Sequence, residues 1–132
     1  MAKVLNPTSI AAPAAAYAHG VEIPANARII VTSGVVPTRT DGTTPIDIGD
    51  QAALVWQNIS AILAEGKMSL TDVISVTTYV VAGATLRDDL SVVMRERDAA
   101  LQGVLAASTL VTVPTLARPE WKMEISVIAA RS

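Results

Sequence analysis

Residues 51 to 80 read QAALVWQNISAILAEGKMSLTDVISVTTYV, and the fold turns on how this run divides. Up to Glu65 the apolar positions Ala52, Val55, Trp56, Ile59, Ile62 and Leu63 recur at helical spacing, which predicts a helix from Asp50 to Glu65. Gly66 supplies the C′ stop, because glycine takes the left-handed conformation that ends many helices. From Asp72 to Val81 the chain becomes a β-branched run, DVISVTTYVV, and reads as a central strand.

Working outward toward the C-terminus, Thr85 is placed as a helix N-cap with Asp88 three positions on, a capping box. The helix that follows carries Leu86, Leu90, Val93, Arg97 and Leu101 along one side. Ser108 to Val113 is a strand, VPTLARPE is a connection broken by Pro114 and Pro119, and Trp121 to Ala129 alternates apolar and polar faces. Toward the N-terminus, ARIIVTSG (27 to 34) reads as a buried strand ending in a turn at Gly34, and Asp41-Gly42 marks a turn in an exposed loop. Pro13 breaks the Ala-rich patch 11 to 18, leaving a loop that enters a short strand at Tyr17 to Val21.

Two helices with a mixed or mostly antiparallel sheet make a two-layer α+β domain, with one unit expected over residues 1 to 132. Helices on one face leave the other sheet face to be covered, and a second copy of the chain is the natural cover. The hydropathy is high for a protein that carries no membrane-length apolar run. A soluble, cytoplasmic oligomer is expected.

Composition removes several kinds of chemistry. There is no cysteine, which excludes disulfides and thiol nucleophiles, and a single histidine cannot build a multi-histidine metal site. The pairs Asp47/Asp50 and Asp88/Asp89 are thin support for a carboxylate metal site. Net charge is −2, and the basic residues are scattered instead of forming a stripe, so nucleic acid is not an expected partner.

Individual residues remain. Tyr17 and His19 share a face if their segment is a strand, and would then border a pocket or decorate a half-exposed edge. Gly34 either lets a ligand approach the backbone or serves a turn of positive φ. Glu124 interrupts an aliphatic strand, where it either orients a water or pairs with Lys122 or a basic residue of a neighbouring chain. Arg118 reads as a solvated loop charge, and Met68, Met94 and Met123 as core filler.

The segment LARPEWKMEISVIAA closely resembles the closing segment of the Rid family, the reactive intermediate deaminases also called the YjgF family, with its pattern V-E-I-E-A-I-A. PAAAYAHGVEIP resembles the family's P-x-x-G-P-Y-S-x-A, and IIVTSGVVP its I-x-x-S-G-Q-x-P. The run from 51 to 80 matches the helix-glycine-strand pattern almost position by position. The resemblance spans essentially the whole chain and is weakest across 82 to 105.

It implies a chorismate-mutase-like fold and a homotrimer with a central barrel and three small-molecule clefts between subunits. It also implies hydrolysis of small imines or enamines to ketones and ammonia, with no metal or organic cofactor. Carried over residue by residue, Tyr17 matches a cleft-lining tyrosine, Gly34 a glycine contacting ligand through its backbone, and Glu124 the glutamate associated with water positioning. The family's carboxylate-clamping arginine, in P-A-R-S-x-V-x-V, meets Ser108 in A-A-S-T-L-V-T-V, placing the chain with arginine-lacking relatives. Further departures are Ala15-Ala16 for Gly-Pro, Val35 for glutamine and Ser126 for the second glutamate.

Overall fold

The structure is a computed structural model that describes residues 2 to 132. Strands β1 (Lys3–Leu5) and β2 (Gly20–Glu22) pair antiparallel as a small separate ribbon. The main sheet is built from β3 (Arg28–Val31), β4 (Val73–Val81), β5 (Ala107–Val113) and β6 (Met123–Arg131), in the order β3-β6-β4-β5. Its β4/β5 pair is parallel and the others are antiparallel. Helices α1 (Ile48–Glu65) and α2 (Leu86–Leu101) cover one face, α1 against β6 and α2 against β4. This is the α+β two-layer architecture that the sequence predicts.

Alternation drives the layering. Val76 and Val80 of β4, with Met123, Ile125 and Val127 of β6, are buried toward the helices. They meet Val55, Ile59 and Leu63 of α1 and Val93 and Leu101 of α2 in one core cluster. Tyr79, Glu124 and Ser126 alternate to the other face, which no element of this chain covers and where they stay partly exposed. Met68 and Met123 are core residues, whereas Met94 is only half-buried.

Several local expectations are corrected. Helix α1 begins two residues before Asp50, because Asp47 caps it: the Asp47 Oδ1 accepts from Gly49 N (2.7 Å) and Asp50 N (3.3 Å). Ile62 lies off the buried stripe and is exposed. Gly66 is not the left-handed residue after α1. Its φ is −89°, and Lys67 takes the positive φ of 59°. A Cβ at 66 would meet Cδ1 at the end of the Ile30 side chain, so the helix end packs closely onto β3.

Thr85 makes no capping hydrogen bond to the backbone; its hydroxyl donates to Asp89 Oδ2 at 3.0 Å, and Asp88 plays no part. The segment 27 to 34 is not a buried strand. Only Arg28–Val31 is in the sheet, at its edge, where Ile29 is 53% and Val31 70% exposed. The expected turn at Asp41-Gly42 is present, with Gly42 at φ 87° and the Thr43 hydroxyl and amide both donating to Asp41 Oδ1. Those two bonds hold the Asp41 carboxyl below the usual carboxylate range.

Candidate functional site

On the open sheet face the fold brings Gly34 and Glu124 together. Beyond β3 the chain stays attached to β6, through Thr32 N to Val127 O (3.0 Å) and Val35 N to Ile125 O (2.7 Å). Thr32 to Val35 takes three steps where Val127 to Ile125 takes two, so Ser33-Gly34 forms a bulge. The bulge lays Gly34 over Glu124: a Cβ on Gly34 would overlap a carboxylate oxygen and stand 3.1 Å from the carboxyl carbon. Gly34 is not among the residues of positive φ. Close approach, and not turn conformation, is what requires glycine there.

Around that contact lies a cleft of about 250 Å³ lined by Gly34, Tyr79, Leu116, Glu124 and Ser126. Tyr79 is the direct cross-strand partner of Glu124, and Thr77 of Ser126. Among the described residues no basic side chain stands within ion-pair distance of Glu124; the ion pairs are Arg97–Asp98 and Arg118–Glu120. The expected Lys122 partner is therefore not met within the protomer. A half-buried carboxylate without a cation, beside a phenol and a hydroxyl, can accept a proton from water or orient one. Among the described residues no group of three or more His, Asp or Glu is arranged to hold a metal ion.

Ser108 does not join this cleft. In the sheet register Ser108 pairs with Val76, and Val76 with Val127, both buried toward the helices, whereas Glu124 pairs with Tyr79 on the open face. The two residues lie on opposite faces, three positions and two strands apart, roughly 14 Å along the sheet at usual strand spacings. Ser108 Oγ instead accepts from Arg97 Nη1 at 3.3 Å. Arg97 is 5% exposed, and its Nε and Nη2 both donate to Asp98 Oδ1, at 3.2 and 3.0 Å. The sequence places Arg97 on the apolar stripe of α2, and a lone cation on such a stripe was the available signal that it is buried and paired.

Tyr17 and His19 also differ from expectation. Their segment is not a strand, apart from an isolated bridge of Ala18 to Ala107. The rings meet edge to face, centroids 6.1 Å apart. The Tyr17 hydroxyl accepts from Ala14 N (3.3 Å) and His19 Nε2 donates to Ala11 O (2.6 Å), so both side chains fasten their own Ala-rich loop, which offers few other polar groups. Ala18 N donates to Ala106 O (2.9 Å), which seats Tyr17 at the same sheet edge as Ser108 and away from Glu124. Arg118 lies over the Trp121 ring at 5.6 Å and faces Glu120, largely exposed.

A mixed sheet with two helices on one face is an α+β two-layer fold. The chain belongs to the Rid (YjgF-like) family: the model of that family described as endoribonuclease L-PSP matches residues 8–131. TdcF of Escherichia coli strain K12, whose name places it with the reactive intermediate deaminases, is 29% identical over 119 residues, 88% of this chain and 87% of its own. Among solved structures, YyfB of Yersinia pestis, described as a Rid-family protein of unknown function, is 26% identical. It superposes with a TM-score of 0.86, covering 98% of each chain. E. coli TdcF, solved with bound serine, is 25% identical with a TM-score of 0.68, covering 98% of this chain and 99% of its own.

Proposed function

We propose that this chain assembles as a homotrimer whose intersubunit clefts bind a small metabolite and hydrolyse it where it carries a labile imine or enamine bond. The observation that carries the reading is the Glu124 carboxylate, seated on Gly34 in an uncovered cleft with no cation beside it. In the reaction Glu124 accepts a proton from water as the water oxygen attacks the C=N carbon. The proton is then delivered to nitrogen to give the carbinolamine, whose hydroxyl proton passes to nitrogen as C=O forms and the C–N bond breaks, giving a ketone and ammonia; an enamine first takes a proton from water at its β-carbon to become the imine. Metal and organic cofactors have no role in this scheme.

Two features support a site shared between copies. Ser108 and Tyr17 lie at one sheet edge while Gly34 and Glu124 lie on the opposite face, so a small ligand can touch both sets only if two protomers contribute. The open face also presents Val31, Ile29 and Val111, an apolar surface that association would bury. The serine bound by the solved relative supports a small polar ligand. The endoribonuclease in the family's description finds little support in a chain of net charge −2 with scattered basic residues. Among the described residues no helix is long and apolar enough to cross a membrane.

With Glu124→Gln, ammonia release from a panel of small imines and enamines is expected to fall about a hundredfold or more, with the trimer and its melting temperature retained. Unchanged turnover would remove Glu124 from the mechanism. Ser108 at the clamp position favours a second reading, a metabolite-binding or scaffold trimer without chemistry. A protein inert to the whole panel yet thermally stabilised by a metabolite would establish it.

A further inference from the structure

The residues around Gly34 set the charge of the ligand they can hold. Gly34, Tyr79, Leu116, Glu124 and Ser126 line the cleft, and of these only Glu124 is ionised at neutral pH. Among the described residues no ion pair involves Glu124. The basic residues nearest to it along the chain are engaged elsewhere. Arg118 lies over the Trp121 ring and faces Glu120. Lys122 lines a separate cavity together with Asp47, Asp50, Asp88 and Asp89. Tyr79 is the direct cross-strand partner of Glu124 and shares its cleft, so an aromatic ring accompanies the carboxylate. Such a pair attracts a cation in two ways, by charge-assisted hydrogen bonding and through the negative face of the ring.

We propose that the ligand of this cleft is a small cation, an iminium or ammonium whose N–H groups meet the Glu124 carboxylate while an apolar body lies against Leu116 and Tyr79. An anionic ligand would meet a fixed negative charge and no cation among the lining residues. The volume of about 250 Å³ lies below the roughly 300–1,000 Å³ of drug-sized sites, which keeps the body short. For an iminium the hydrolysis balances as iminium plus water giving ketone plus ammonium, the added proton staying on nitrogen. The proposal rests on the reading of this cleft as the ligand site and adds the charge of the substrate to it.

The test uses isobutyramidine, isobutyramide and isobutyrate, which share one skeleton and are cationic, neutral and anionic at neutral pH. The amidinium resists hydrolysis, and its planar N–H pair matches a carboxylate bidentately. Each is titrated into the full ¹⁵N-labelled protein, and the amides of Gly34, Tyr79, Glu124 and Ser126 are followed. The amidinium is expected to bind about five- to tenfold more tightly than the amide, the worth of one hydrogen bond to a charged group in a half-buried site, and isobutyrate to bind more weakly than either. Glu124→Gln, which keeps the shape and removes the charge, should bring the amidinium down to the affinity of the amide. Equal affinity of amide and amidinium, a preference for isobutyrate, or a preference for the amidinium that survives Glu124→Gln overturns the proposal and leaves the cleft standing. Equally strong shifts around Asp88 and Asp89 would mark an indiscriminate attraction to carboxylates and overturn it as well. Silence of all four amides with every probe overturns the cleft reading itself.

Discussion

Gly34→Ala is expected to silence the site almost as completely as removing Glu124. The added Cβ would occupy the position of a Glu124 carboxylate oxygen, so the carboxylate must swing off its glycine floor or the Ser33-Gly34 bulge must shift. Either movement misplaces the group that orients water, and a displacement near 1 Å costs on the order of a hundredfold in rate. Stability should fall by no more than about 1 kcal/mol, because the atom met is the end of a flexible, half-exposed side chain that can turn aside. Because Gly34 is not in the left-handed region, alanine adds no backbone strain, and the effect isolates the contact. Urea titrations of Gly34→Ala, Glu124→Ala and the double variant provide the check. The double variant should recover most of the stability lost in Gly34→Ala while staying inactive, a non-additivity expected of groups in direct contact. Equal activity in Gly34→Ala and wild type would mean that the carboxylate position does not matter.

Gln51→Ala should give the larger loss of stability, about 2–4 kcal/mol. Gln51 is fully buried at the start of α1, and its side chain ties the segment just before the helix to the distant connection that leads into β6. Its Nε2 donates to Pro45 O (2.8 Å) and Glu120 O (2.9 Å), and its Oε1 accepts from Lys122 N (2.9 Å). Alanine would deprive two carbonyls and an amide of their partner, with the Pro45 carbonyl buried and the other two groups partly so. Leucine would fill the space and still leave all three unpaired, so Gln51→Leu should lose a comparable amount. Since Lys122 leads directly into Met123 and Glu124, the same changes should loosen the entry of β6 and lower turnover as well. A shift of the urea midpoint equivalent to under about 0.5 kcal/mol, the size of an ordinary surface change, would contradict this account of Gln51.

The layers of the fold were legible in periodicity. The stripe Ala52, Val55, Trp56, Ile59, Leu63 and the alternation Met123, Ile125, Val127 are the two halves of one core, and each announces its partner period. Segment 27 to 34 misled because edge and central strands share β-branched composition; Ile29 and Val31 are apolar and β-branched yet stand exposed at the sheet edge. Gly34 and Glu124 were legible as residues through the family resemblance, but their contact depends on a bulge that spacing along the chain does not encode. The Tyr17 segment was misplaced as a strand because its structure comes from side-chain bonds to its own loop, by Tyr17 and His19, instead of from a ladder. Arg97 was visible only as an anomaly on an apolar stripe, since its partner Ser108 is brought near by the parallel pairing of β5 with β4, the strand that α2 packs against.

The proposed site requires more than one copy of the chain, because Ser108 and Glu124 stand on opposite faces of a single sheet. Native mass spectrometry of the purified protein tests that requirement most directly. The account predicts a dominant species of three copies of the 13.7 kDa chain. A protein that stays at the mass of one chain at working concentrations would contradict it, since no monomer can present both halves of the site to one small ligand.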